Sequence, residues 1–516
     1  MVEERATPRR AVVAAAAAAV LAVLAVVSPA LAQSLSNADV LELLGKAKLG
    51  TSRVGVSVVD LSSGRKLVAI REDEPFIPAS NMKLLTSGTA AAVLGPDFEF
   101  RTTLWQSGDR LIVEGAGDPA FADPALLDEM GQNVEAFLDR LAEAVRTGWD
   151  AGAGPIREVV VDDRVLDREY VHPTWPADQL GLWYCAEVGG LNFFANVVRL
   201  YARPADQEGM SPSLRLEPSA AWLTVENRAR TVKKNESTTL HLSRVGENNT
   251  FVLRGSIRSA LVRPIEATTH ESSLLFARLL AERLGAGRGG GPSWRLAGAD
   301  EDLGDRGARR ALAVVRTPLS VVLARCNMDS HNLYAEALIK RVGHEVTRQP
   351  GSWANGAAVV RMQMRERVGP EAAAAVSVAD GSGLSRENLI TPGVMTAWLG
   401  ALSRDARVAP AFIASIPEAG VEGNMAKRFR GRELMNEVRC KSGYINGVRT
   451  LSGYVINRET GRKAAFSILV NDTPANVPGA QVREFHEDVV ELVDKWMTGV
   501  VKKEMARGAA AGAAAP

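Results

Sequence analysis

Ser80 and Lys83 stand three residues apart, the spacing that puts a hydroxyl and an amine on one face of a helix within reach of each other. A serine so placed can be activated as a nucleophile without a histidine. Ser-x-x-Lys recurs at Ser63 and Lys66, in a turn where nothing would hold the geometry, so this pattern alone selects neither copy. Two others do. Ser330-His331-Asn332 is the only Ser-x-Asn in the chain, and Lys441-Ser442-Gly443 the only Lys-Ser/Thr-Gly. Singly, Asn332 reads as a helix cap, Ser330 as a helix start and Lys441 as a solvated edge-strand charge. Jointly, and in this order, they supply what acyl transfer from a peptide requires: a nucleophile, a base and groups to hold the substrate.

The surrounding elements suit that chemistry. Val54, Val56 and Val58 alternate with small or polar residues, and after the turn at Ser62-Ser63-Gly64-Arg65 comes Leu67 to Ile70, which predicts a hairpin. Pro78 ends the extended stretch, and an alanine-rich helix closed by Gly95-Pro96 carries Ser80 in its first turn. Short alternating strands from Phe98 to Thr269 predict a strand-rich insertion, organised as two small domains. Helical texture returns at Glu271–Leu284 and again from Leu319 to Val342, with Ser330 between helical segments. Three strands, Val438–Tyr444, Thr450–Ile456 and Ala464–Val470, form a meander. Val482, Phe485, Val489, Leu492, Val493 and Trp496 then give a helix with one apolar face to cover it.

Net charge is +1, with 46% apolar and 23% charged residues, so disorder is excluded and nucleic acid is not an expected partner. Arg5, Arg9 and Arg10 precede an apolar run ending in Ala30-Leu31-Ala32, a signal peptide over residues 1–32 cut before Gln33, rather than a membrane anchor. Arg9-Arg10 leaves twin-arginine export open beside ordinary secretion. The catalytic unit is expected over residues 33–97 and 270–502, interrupted by the insertion at 98–269. The Ala- and Gly-rich tail, 503–516, is expected to be disordered. Cys185, Cys326 and Cys440 fit no zinc spacing and read as buried thiols, a Cys326–Cys440 bridge being the alternative. His344-Glu345 lacks a second histidine at 348, and the glycine run from Gly287 lacks the Lys-Ser/Thr of a phosphate loop. No metal and no organic cofactor are expected.

The triplet resembles that of penicillin-binding proteins and serine β-lactamases. The 250 residues between Ser80 and Ser330 narrow the resemblance to the D-alanyl-D-alanine carboxypeptidase/endopeptidase family of penicillin-binding protein 4. Ile77-Pro78-Ala79-Ser80-Asn81-Met82-Lys83-Leu84-Leu85-Thr86, Gly115-Ala116-Gly117-Asp118-Pro119, Asp380-Gly381-Ser382-Gly383-Leu384-Ser385 and Leu451-Ser452-Gly453-Tyr454-Val455 agree with it. It covers residues 50 to 495, most weakly in the insertion. Two departures are Ser442 where threonine is usual, which keeps the hydroxyl, and His331 where aspartate is common. A histidine there is able to shift the pH profile.

The resemblance implies an α/β (α+β) fold, a five-stranded antiparallel sheet packed with helices. It implies a periplasmic serine-type D-Ala-D-Ala carboxypeptidase, with endopeptidase action on cross-links left open, that takes peptidoglycan stem peptides and is acylated by β-lactams. Ser80 would attack and Lys83 take its proton, with its pKa lowered by burial or by Lys441. By resemblance Ser330 relays the proton to the leaving amine, Asn332 holds the substrate amide and Lys83, and Lys441 with Ser442 binds the terminal carboxylate. The oxyanion hole would be the backbone N–H groups of Ser80 and Tyr444, which a bulky residue near Gly443 would disturb, and Gly443 permits the strand-edge distortion by which Lys441 and Ser442 both reach substrate. Strict alternation puts Lys441 and Ser442 on opposite faces of their strand, and turns Cys440 away from Lys441. A β-lactamase or esterase with the same triplet, and a catalytically weak wall-binding scaffold, are the competing readings. Peripheral membrane association and oligomerisation stay open.

Overall fold

The structure, a computed structural model, describes residues 35–233, 235–285 and 290–513. The expected leader and its cut before Gln33 lie outside the described residues, as do residues 287–289 of the glycine run.

The hairpin forms where alternation places it: β1 (Arg53–Asp60) pairs antiparallel with β2 (Lys66–Ile70). The meander supplies β3 (Glu437–Ile445), β4 (Val448–Ile456) and β5 (Lys463–Asn471). β5 closes onto β1 from Arg53 opposite Asn471 to Asp60 opposite Ala464. The resulting sheet has the order β3-β4-β5-β1-β2, every neighbour antiparallel, so the two ends of the chain build one unit.

Both faces of this sheet are covered. Phe466, Ile468 and Val470 join a core with Val482, Phe485, Val489 and Val493 of the C-terminal helix. Ala465 and Leu469 face the opposite core, with Leu84, Leu85 and Trp398. Burial on two sides is why β5 reads as an unbroken apolar run. Each such side chain contributes about 1.5–3 kcal/mol.

The helix that carries Ser80's partner, α1 (Met82–Leu94), ends at Gly95, whose φ of +85° a residue with a Cβ rarely adopts. The helical texture from Leu319 resolves into α2 (Leu319–Met328) and α3 (Asn332–Thr347). They are separated by Ser330 at φ +59°, a left-handed residue that ends one helix and turns the chain into the next. The last helix, α4 (Gly479–Ala513), runs on through the tail expected to be disordered from Lys503. Its packed part extends to Val501, only 4% exposed, and alanine, the strongest helix former, propagates it from there at little cost.

Between α1 and α2 the chain is strand-rich, and it stays so past the expected boundary at 269. A mixed five-stranded sheet takes Ser293–Leu296, Glu158–Asp162, Arg110–Glu114, Glu99–Ser107 and Arg310–Pro318 side by side. Helix Ser272–Gly285 belongs with it, because Leu275, Phe276, Leu279 and Leu280 pack into the same core as Leu104, Val113 and Val159. Three smaller sheets fill the interval from Val197 to Thr268. Among the described residues no helix is long and apolar enough to cross a membrane.

Candidate active site

Ser80 sits in a single 3-10 turn, Ala79–Asn81, that leads directly into α1. Ala79 has φ +44°, a left-handed conformation that is costly for a residue with a Cβ. The packing around it is backbone on backbone: a Cβ added to Gly383 would lie 1.8 Å from the Ala79 carbonyl oxygen. Loop Asp380–Ser385 therefore presses on the turn that presents the serine.

Helical spacing brings Lys83 Nζ to 3.1 Å from Ser80 Oγ. Lys83 is wholly buried, and it also donates to Asn332 Oδ1 at 2.7 Å and to the Ser382 carbonyl at 3.0 Å. Burial penalises the ammonium and lowers its pKa to about 8, against the upward pull of Cys326, Glu336 and Asp380. Lys441, equally buried, donates to Ser330 Oγ at 2.7 Å and to the Ser442 carbonyl at 2.8 Å. Burial, then the charge of Lys83, hold its pKa well below the ordinary lysine value. Of the two expected causes for Lys83, burial is the one that lowers it; the cation effect expected of Lys441 on Lys83 falls instead on Lys441, from Lys83.

The outermost strand, β3, is tied to the serine turn by Asn81. Its Nδ2 donates to the Lys441 carbonyl at 2.6 Å, and its Oδ1 accepts from Ser452 Oγ on β4 at 2.8 Å. Gly443 makes the closest approach, since a Cβ there would lie 2.9 Å from Ser80 N. Tyr444 follows on the same edge strand, its ring exposed beneath the Arg449 guanidinium at 4.3 Å. Ser442 joins the network through its carbonyl oxygen. All the residues singled out from sequence, Ser80, Lys83, Ser330, Asn332, Lys441, Ser442, Gly443 and Tyr444, thus lie at one junction of α1, β3 and the α2–α3 turn.

Cys326 and Cys440 are free, buried thiols in separate cores on the two sides of the sheet, so they form no bridge. His331 packs between Trp183 and Tyr334, with ring centroids 5.6 and 5.0 Å away. Burial lowers its pKa to about 4, which favours the neutral ring near pH 7.

Three contributors were given no role by sequence reasoning. Glu336, fully buried, accepts from the backbone N–H groups of Gly381 and Ser382 and from Trp353 Nε1, all at 2.8 Å, and so orients the loop whose carbonyl binds Lys83. Burial and the neighbouring Asp380 raise its pKa to about 7. Asp380 in turn accepts from Trp175 Nε1, Asn388 Nδ2 and the Gly383 and Ser385 amides. Tyr184, from the strand-rich region, accepts Asn332 Nδ2 at its carbonyl, 2.8 Å away. Two of them carried a signal: Glu336 lies four residues after Asn332, on the same face of α3, and Asp380 opens the quoted motif Asp380–Ser385.

A buried lysine beside a serine at the head of a helix, flanked by a Lys-Ser-Gly strand at the edge of an antiparallel sheet, defines the penicillin-binding class of serine acyl-transfer enzymes. The profile of the D-Ala-D-Ala carboxypeptidase 3 (S13) family matches residues 36–494. The chain belongs to that family and is a serine-type D-Ala-D-Ala carboxypeptidase. It is 32% identical over 457 residues to a D-alanyl-D-alanine carboxypeptidase of an Actinomadura species, covering 82% of this chain and 78% of that one. It is 23% identical over 455 residues to the D-alanyl-D-alanine carboxypeptidase DacB of Haemophilus influenzae, covering 85% and 89%. Among solved structures it is similar to penicillin binding protein 4 (dacB) from Haemophilus influenzae, with a TM-score of 0.69 at 21% identity over 88% of this chain and 99% of that chain. That protein has also been solved in complex with a β-lactam.

Proposed function

We propose that the enzyme is exported to the periplasm and removes the terminal D-alanine of peptidoglycan stem peptides through an ester on Ser80, with β-lactams as covalent inhibitors. Cross-link cleavage by the same chemistry is part of this reading, because the amide broken in a cross-link also lies on the carboxyl side of a D-alanine. The observation that carries the proposal is Lys83 Nζ, fully buried, 3.1 Å from Ser80 Oγ and bonded to Asn332.

Neutral Lys83 takes the proton of Ser80 as Oγ attacks the carbonyl carbon between the two D-alanines. The negative charge moves to the carbonyl oxygen, which faces the backbone N–H groups of Ser80 and Tyr444. Lys441 and Ser442 hold the terminal carboxylate, and Asn332 the substrate amide. As the C–N bond breaks, the proton held by Lys83 reaches the leaving amine through Ser330, and D-alanine departs. Water, deprotonated by Lys83, then attacks the ester, releases the shortened peptide and restores Ser80.

Intact-mass measurement with a fluorescent penicillin, on wild type and Ser80→Ala, tests this, together with D-alanine release from a pentapeptide. A stable adduct absent from the variant, with D-alanine released by wild type, is the expected result. Rapid turnover of the drug would instead indicate a β-lactamase. A folded protein giving neither adduct nor release would refute catalysis at Ser80 and leave wall binding as the function.

A further inference from the structure

The strand-rich region does more than flank the site: one of its carboxylates reaches both helices that bracket Ser330. Asp123, with no exposed surface, caps helix Pro124–Glu129 by accepting from Ala125 N and Leu126 N at 2.8 and 3.0 Å. The same carboxylate accepts Arg325 Nη2 on both oxygens, at 3.1 and 2.9 Å, and Tyr334 Oη at 2.7 Å. Arg325 lies in the last turn of α2, and Tyr334 in the first turn of α3. Arg325 also bonds Asp329 Oδ2 at 2.7 Å, and its carbonyl accepts the His331 amide at 3.3 Å. The turn so bracketed holds Ser330 at φ +59°, a conformation a serine does not favour unless its surroundings impose it.

We propose that Asp123 is a positioning residue for the reaction: by joining Arg325 to Tyr334 it holds the α2–α3 turn closed, and so keeps Ser330 Oγ where Lys441 and the leaving amine meet it. The inference rests on the reading of Ser330 as proton relay. Asp123 touches no substrate and acts only through the turn. A buried carboxylate suits the task because its two oxygens bind a guanidinium and a phenol at fixed angles, whereas an asparagine there would turn an N–H toward one of those donors.

The test exploits leaving-group chemistry. An amide must be protonated as it leaves, whereas a thioester expels a thiolate that needs no proton. Both need Lys83 to activate Ser80, so their rate ratio isolates Ser330 from Lys83 and from general damage to the fold. The full-length enzyme is assayed as wild type, Asp123→Asn, Tyr334→Phe and Ser330→Ala, on a D-Ala-D-Ala peptide and on the matching thioester, with thermal melting alongside. For Asp123→Asn we expect peptide kcat/KM to fall by about 10- to 100-fold, the loss typical of a catalytic group displaced by about an ångström, with a thioester loss of less than about 3-fold. Tyr334→Phe, which removes one hydroxyl, shows the same selectivity at smaller size and stands in if Asp123→Asn does not fold.

Equal losses on both substrates for Asp123→Asn and Tyr334→Phe, with Ser330→Ala still selective for the peptide, would overturn the positioning role and leave the relay intact. An unselective Ser330→Ala would overturn the relay itself, and this inference with it.

Discussion

Gly443→Ala adds one methyl where the outer strand comes closest to the nucleophile turn. The new carbon would start 2.2 Å from Thr450 Oγ1 and 2.9 Å from both Pro78 O and Ser80 N. Thr450 cannot simply turn aside, since its hydroxyl donates to that same Pro78 carbonyl at 2.8 Å in a buried setting. Ordinary contact begins near 3.4 Å, so β3 and the Ser80 amide must part by about 0.5 Å. Overpacking of this kind costs about 1–3 kcal/mol of stability. Removing an oxyanion donor outright costs about 2.7–4 kcal/mol, so a half-ångström displacement should cost about 1–2 kcal/mol of transition-state stabilisation, or about 5- to 30-fold in rate. The assay is stopped-flow acylation by a chromogenic β-lactam well below saturation, with melting measured in parallel. Adding Thr450→Ala removes the 2.2 Å contact but leaves both contacts at 2.9 Å. The double variant should therefore recover part of its melting temperature and little of its acylation rate. If Gly443→Ala acylates within about 2-fold of wild type, or if the second change restores the rate in full, the oxyanion hole is not where Ser80 N and Tyr444 N meet.

Further outcomes attach to Lys83, Glu336 and Asn81. Acylation should rise with pH through a midpoint near 8, because Lys83 accepts the serine proton only when neutral; a flat profile between about pH 6.5 and 9 would contradict this. For stability the sign is the same: between its folded value of about 8 and the ordinary lysine value of 10.5, Lys83 binds more protons unfolded than folded, so urea titrations should show stability increasing across that window. Glu336→Gln keeps one acceptor but aims an N–H at a backbone donor of the 381–382 loop, and should lower acylation by about 10-fold. The variant should also lose the fall in stability between pH 4.5 and about 7 that the raised Glu336 pKa imposes, where the folded chain holds the extra proton. Asn81→Ala takes the Asn81 amide from the Lys441 carbonyl and leaves the Ser452 hydroxyl with Ser467 Oγ alone, at 2.9 Å, and should cost about 1–3 kcal/mol, read as a lower urea midpoint.

Local pattern determined a good deal about this protein. The hairpin, the helix presenting Ser80 and Lys83, the closing meander and the amphipathic face of α4 each follow from periodicity and punctuation within a few residues. The three motifs were legible for the same reason, since each is a short run whose residue types are the chemistry. Contacts between distant segments were not legible. Nothing near Asp123 in the chain announces that it will meet Arg325 and Tyr334, and nothing near Asp380 announces Trp175; burial of a carboxylate becomes favourable only once the fold supplies every donor. The strand-rich sheet continues past 269 to Pro318, because sheet membership is decided by which strand edges meet, a non-local matter. The described part of the tail, residues 503–513, is helical because α4 is already nucleated by its packed part. Residue type and spacing determined that this chain holds a serine nucleophile with an amine beside it. Only the tertiary structure decided that the amine is buried and its pKa lowered, because desolvation depends on what the rest of the chain places around it.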